Sequence, residues 1–199
     1  MRIHLLLSAL TLLFVAGGCC GSNQPLYTPE TIKQDVDLAG TWEFYDVELK
    51  KFDTEHPVRV EALGEGKFEA RWTENLGDAK YPRLEKHAAI VRAVELEGSL
   101  YLDLELIHPE EDSLSVILTG QHSIALAHLQ GDRLGFAFLD RKKVQECKAE
   151  TTVRFASGWG WLTLDEPTAG LQKFVAAYRD RIFEPAGGAR RIAKPQAAD

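Results

Sequence analysis

Four leucines spaced two apart, Leu100, Leu102, Leu104 and Leu106, alternate with Tyr101, Asp103 and Glu105. Successive side chains of a strand point to opposite faces, so this segment reads as a strand with one dry face and one wet face. A half-dry sheet has to cover its apolar side, either against another layer or by curling until it closes on itself. Leu134, Phe136 and Phe138 repeat the pattern, with Gly135, Ala137 and Leu139 on the opposite face. Small residues there suit the tight curvature of a closing sheet. Further strands are expected over 40–49, 57–63, 67–73, 86–96, 113–118, 122–129, 151–156 and 158–164. Gly98-Ser99 and Gly131-Asp132 lie between apolar alternations, where glycine at the first central position suits a type II′ turn, so neighbouring strands should be antiparallel. The expected fold is mainly β, an antiparallel meander that closes into a barrel.

One stretch has a different period. Leu171, Phe174, Val175, Tyr178 and Ile182 share one helical face, which predicts a C-terminal amphipathic helix packed outside the barrel. Asp165 is its expected cap, with Pro167 in the first turn and Glu166 at the positive end of the helix dipole. A shorter helical turn is expected over 140–146, with Val144 and Cys147 as its apolar face. From Glu184-Pro185-Ala186-Gly187-Gly188 to Asp199 no apolar stripe remains, and this segment reads as a disordered tail.

The amino end carries its own signal. Met1-Arg2-Ile3-His4 precedes an apolar run from Leu5 to Ala16 and then Gly17-Gly18-Cys19-Cys20, the charged, greasy and small-residue order of a secretory signal peptide. As a helix that run reaches about 18 Å, short of the roughly 30 Å a spanning helix must cross. The junction Val15-Ala16-Gly17-Gly18-Cys19 resembles the lipobox of bacterial lipoproteins. That resemblance implies acylation of Cys19, with palmitate among the chains attached, and Cys20 is the poorer match to the same pattern. Cys20 is also not the aspartate that such sorting links to inner-membrane retention, so the implied address is the cell envelope, at the outer membrane facing the periplasm. The expected organisation is a signal peptide over 1–18, a lipidated flexible tether over 19–37, a barrel domain with its helix over 38–183 and a tail over 184–199. Length supports a single domain, since 199 residues fall near the usual size of one.

Leu38-Ala39-Gly40-Thr41-Trp42 opens the first strand of the meander ahead of a terminal helix. This Gly-x-Trp start resembles the lipocalin-type barrel and, more loosely, small bacterial lipoproteins that combine a lipobox, the same start and a closing helix. In lipocalins the tryptophan closes the barrel floor and an arginine from a late strand packs across it. The resemblance therefore assigns barrel closure to Trp42, with Arg154 in Thr152-Val153-Arg154-Phe155 as the candidate partner.

Chemistry-bearing residues are scattered. His108-Pro109-Glu110-Glu111-Asp112 gathers an imidazole and three carboxylates, but its spacing fits no metal motif and its proline marks a connecting loop. His122 and His128 fall on one sheet face with Ile124 and Leu126 between them. With nearby carboxylates they define the alternative reading, a periplasmic hydrolase or metal-dependent enzyme. No Gly-x-Ser-x-Gly, HExxH or P-loop is present, and neither a cofactor nor a metal is expected. Cys147 reads as a small buried hydrophobe, whose pairing with Cys20 would need the tether to fold back. Trp42, Phe68, Trp72, Trp159 and Trp161 supply aromatic mass that a barrel interior can offer an apolar ligand. Net charge is -7 with no basic run, which argues against nucleic acid as a partner. The expectation is a non-enzymatic, membrane-anchored lipoprotein that binds a small apolar ligand or an envelope protein.

Overall fold

The computed structural model describes residues 20–46, 50–75, 84–107, 121–158 and 161–194. Its strands are β1 (Cys20–Ser22), β2 (Gly40–Asp46), β3 (Lys51–Phe52), β4 (Val58–Gly64), β5 (Lys67–Asn75), β6 (Leu84–Leu96), β7 (Ser99–Ile107), β8 (His122–Gln130), β9 (Arg133–Leu139), β10 (Phe155–Gly158), β11 (Trp161–Leu164) and β12 (Phe183–Ala193). Two helices, α1 (Arg141–Cys147) and α2 (Thr168–Ile182), follow β9 and β11. β2, β4, β5, β6, β7, β8 and β9 pair in that order as an antiparallel meander, and β12 fills the gap between β9 and β2. The result is a closed eight-stranded antiparallel barrel. β3 forms a short hairpin with β2, while β10, β11 and β1 make a small outer sheet joined to β8.

The turns keep the register that buries the leucines of β7. Between β6 and β7, Glu97 and Gly98 both have positive φ, the type I′ pattern, so the turn sits one residue earlier than Gly98-Ser99. Leu96 then faces Ser99, and Leu100 and Leu102 join the interior. At Gly131-Asp132 the turn falls where expected, with Gln130 opposite Arg133. β7 pairs directly with β8, so the ring closes without 113–118, which lies outside the described residues.

The barrel wall separates two cores. Inside are Leu38, Trp42, Phe68, Trp72, Val91, Leu102, Leu134 and Phe136. Outside, one wall is covered by α1, α2 and the outer sheet, burying Tyr101, Ile124, Leu139, Val144, Leu171, Phe174 and Val175. α2 uses the apolar face read from the sequence, with Leu171, Phe174, Val175 and Ile182 buried. Its cap differs. The helix begins at Thr168 with Pro167 in the cap position, because a proline forces the residue before it out of the helical region. Asp165 instead donates its backbone N–H to the Arg154 carbonyl. In α1, Asp140 caps through its side chain to Lys143 N–H at 2.8 Å, and Val144 and Cys147 are buried as expected.

Two segments depart from the expected organisation. The C-terminal stretch read as a tail over 184–199 is, as far as Ala193, a stave of the barrel. The stretch read as a tether is ordered from Cys20 onward. β1 is held between β8 and β11, Ile32 bridges to Val94, and Leu26 is fully buried in the outer core. Backbone hydrogen bonds fix this segment, among them Lys33 N–H to Ala93 O and Glu95 N–H to Thr31 O, and backbone pairing needs no apolar side-chain pattern.

Candidate functional site

Parity along the staves decides which side chains enter the barrel. Trp42 and Phe44 on β2, Ala70 and Trp72 on β5, Ala89 and Val91 on β6, and Phe136 and Phe138 on β9 all project inward around a cavity of about 80 Å³. Every residue lining it is aliphatic or aromatic. Phe68 belongs to the same interior core, and the Trp72 indole stacks on the His87 imidazole at 5.3 Å between centroids. The barrel is thus largely filled by its own side chains. Pockets for drug-sized ligands measure roughly 300–1,000 Å³, so the remaining space admits only a small group or the end of a slender chain.

Trp42 is buried in the barrel interior. Its indole N–H donates to the Leu38 carbonyl at 2.8 Å, and the Arg191 guanidinium lies over its ring, 4.8 Å from the centroid. Arg191 also donates to the Asp37 carboxylate at 2.8 Å and to the Asp37 carbonyl. That hydrogen bond holds the Asp37 carboxyl below the ordinary aspartate range, with the nearby charges of Arg191 and Lys194 adding to the effect. The glycine of Gly-x-Trp has a steric reason here. At Gly40 φ is +140°, and a Cβ would sit 2.6 Å from the Ala193 carbonyl oxygen and 3.0 Å from Arg191 Cδ. Arg154 does not take part. It is exposed, and its side chain pairs with Glu166 at 3.4 Å. An arginine does cross the tryptophan, but it comes from β12, whose sequence hides its strand character.

Trp161 does not belong to the barrel wall, because β11 is part of the outer sheet. Its side chain, Trp159 and Cys19 lie outside the described residues, as does His108-Pro109-Glu110-Glu111-Asp112. Of the interior residues, Phe44 was not singled out from the sequence, and Phe136 and Phe138 were read as one face of a strand but not as lining a binding site. Their signal was parity: each stands an even number of places from an inward aromatic residue on the same strand.

His122 and His128 part company along β8. His128 is exposed, whereas His122 is buried, with Nδ1 2.6 Å from Asp103 Oδ1. Asp103 accepts a second hydrogen bond from Leu26 N–H at 2.5 Å, and Tyr27 meets the imidazole edge to face. The Asp103–His122 pair therefore fastens the N-terminal segment onto the outer wall. Among the described residues no serine, threonine or cysteine side chain is hydrogen-bonded to His122, and no group of three His, Cys, Asp or Glu side chains is placed to hold a metal ion. Cys147 is a free thiol buried in the outer core, and burial raises its pKa, which keeps it protonated and unreactive. Cys20 packs against the same core.

No protein-family model, curated protein or solved structure matches this chain.

Proposed function

We propose that this chain is a lipid-anchored protein of the bacterial envelope whose barrel binds the apolar end of a slender molecule, such as a single acyl chain. The observation that carries this reading is the cavity of about 80 Å³ enclosed by aliphatic and aromatic side chains alone. A wholly apolar cavity of this kind stays dry and offers its lining no partner atoms on one side, so a hydrocarbon group entering it gains contacts without displacing ordered water. Partly exposed Phe44, Leu104 and Phe138 line the same cavity and extend its apolar surface outward, giving the rest of such a chain something to lie on. The described residues that line the cavity are all aliphatic or aromatic, which favours binding over turnover.

The test uses a fatty acid that bears a fluorophore at its carboxyl end, leaving the methyl end free to enter. Saturable emission change is expected with the wild-type protein. Ala89→Leu places three extra carbons at the cavity wall and should weaken binding by an order of magnitude or more. The substitution fills existing space rather than overpacking it, so the melting temperature should hold or rise. No saturable binding, or unchanged binding in a well-folded Ala89→Leu protein, refutes the ligand reading and leaves an envelope protein as the partner.

The anchor is tested separately. Cys19 follows the small-residue junction and is the proposed acylation site, at the outer membrane facing the periplasm. Labelled palmitate should enter the wild type and be absent from Cys19→Ser. Label that persists in Cys19→Ser and disappears in Cys20→Ser moves the anchor by one residue.

A further inference from the structure

We infer that the outside of the barrel carries a second ligand site, an open groove of about 840 Å³ beside the C-terminal end of α2 that takes an oxyanion on a broad apolar body. It is independent of the acyl-chain reading. Leu126 is paired with Ala137 and His128 with Gly135, and all four line the groove from the outer face of β8 and β9. Arg179 and Asp180 of α2 border it on one side, and the segment 33–37 borders it on another. Pockets for drug-sized molecules measure roughly 300–1,000 Å³, so the groove has room for a whole ligand. Gly135 shows that the floor is open. Its backbone is outside the left-handed region, and a Cβ there would have no neighbour closer than the His128 carbonyl oxygen at 3.9 Å, so neither conformation nor crowding calls for glycine. Glycine inside a strand costs stability and often marks a place where a ligand approaches the backbone closely.

The charges around the groove call for an anion. Arg179 donates from Nη1 to Ser99 Oγ at 2.7 Å, and from Nε and Nη2 to the Asp180 carboxylate at 2.9 and 3.4 Å. These bonds fix the guanidinium and leave one N–H on each terminal nitrogen. The carboxylates of the groove already have cations. Asp180 has Arg179, Asp35 has Lys33 at 3.7 Å, and Asp37 has Arg191 at 2.8 Å and Lys194 at 3.6 Å. His128 has no such counterpart. It is exposed and, among the described residues, makes no hydrogen bond or ion pair. Tyr101 is paired with Leu126, so by register Ser99 stands level with His128, and the imidazole lies beside the hydroxyl that holds the guanidinium. An oxyanion set there meets N–H donors from Arg179 and His128, and such charge-assisted bonds are the strong ones. Leu126, Gly135 and Ala137 give its apolar body a shallow bed.

The probe is 8-anilinonaphthalene-1-sulfonate, an oxyanion on aromatic rings. Roughly 150 Å³ is a size known to hold a single benzene ring, so these rings are too broad for the barrel cavity of about 80 Å³. The full chain should bind the probe saturably at a single site, with a rise in emission. Gly135→Leu fills the floor and His128→Gln removes the unmatched imidazole. Each should weaken binding about tenfold while the melting temperature stays at or above the wild-type value. Ala89→Leu fills the barrel cavity and should leave this binding unchanged, which separates the groove from the acyl-chain site. N-phenyl-1-naphthylamine has the same rings without the sulfonate and should bind about tenfold more weakly. No saturable binding, or binding unmoved in folded Gly135→Leu and His128→Gln proteins, overturns the site. Loss of binding in Ala89→Leu places the probe in the barrel and overturns it equally. Equal binding of the uncharged probe overturns the oxyanion chemistry.

Discussion

A chain that ends at Ile182 should show no cooperative unfolding transition, whereas one that ends at Ala193 should melt within a degree or two of the full-length protein. β12 is hydrogen-bonded on both sides, to β9 from Phe183 through Arg190 and to β2 from Ala189 to Ala193. Removing it opens the barrel, frees two sheet edges and uncovers Trp42 and Phe136. The lost backbone hydrogen bonds alone contribute about 0.5–1.5 kcal/mol each, and the buried Phe183 side chain adds roughly 1.5–3 kcal/mol. Together these rival the whole stability of an ordinary domain, about 5–15 kcal/mol. Beyond Ala193 the described contact is the exposed ion pair of Lys194 with Asp37 at 3.6 Å, worth at most about 1 kcal/mol. Circular dichroism melts of the two truncations decide the matter. Cooperative melting of the shorter chain near the full-length temperature would show that β12 is not the closing stave.

The same strand marks where the sequence stopped being legible. β7 and β9 announce themselves because leucine and phenylalanine recur at every second position, and α2 does so through its helical stripe. β12 has Ala189 and Arg191 at inward positions and a register shift between Pro185 and Gly187, so its alternation shows neither as hydrophobicity nor as an even period. Its strand character comes from neighbours on both sides, which a local pattern cannot display. The N-terminal segment is hidden for a related reason. It is tied down by main-chain pairing, by Leu26 and by the Asp103 carboxylate, and only one of these is a hydrophobic signal. The site followed the same division. Trp42, Phe68 and Trp72 were readable because strand parity places them inside, whereas choosing between Arg154 and Arg191 required knowing which strand comes last around the ring.

Among the described residues, the outer core covers one wall of the barrel. β1, α1, α2 and β10–β11 all pack outside the same group of staves, on the outer core. The end of β1 that leads to Cys19 is therefore fixed relative to the cavity instead of swivelling about it. If the anchor is at Cys19, the orientation of the barrel on the membrane is set by the fold. An apolar chain leaving the bilayer would then meet the barrel in one orientation, which shortens the search for the cavity.

Trp42→Ala should cost about 3–5 kcal/mol, the usual range for emptying a buried tryptophan site. Arg191→Ala should cost less, about 1.5–3 kcal/mol, from the loss of charge-assisted hydrogen bonds and of the stem that covers the indole. The Arg191 side chain is 1% exposed while that of Asp37 is 62% exposed, so the aspartate left behind is rehydrated rather than stranded. The double variant should fall short of the sum by about 1–2 kcal/mol, because the cation over the ring can be lost only once. Arg191→Lys keeps the charge but not the planar fork, and should lie between wild type and Arg191→Ala. A pH series adds a second readout. The folded-state pKa of Asp37 is below its unfolded value, so its contribution is present above the ordinary aspartate range and is lost as pH falls through the lowered value. In Arg191→Ala that acid-side loss should largely vanish, since its main cause is gone. Strict additivity of the two single variants in urea titrations, together with an unchanged acid profile, would show that the stacked arginine is a bystander to Trp42.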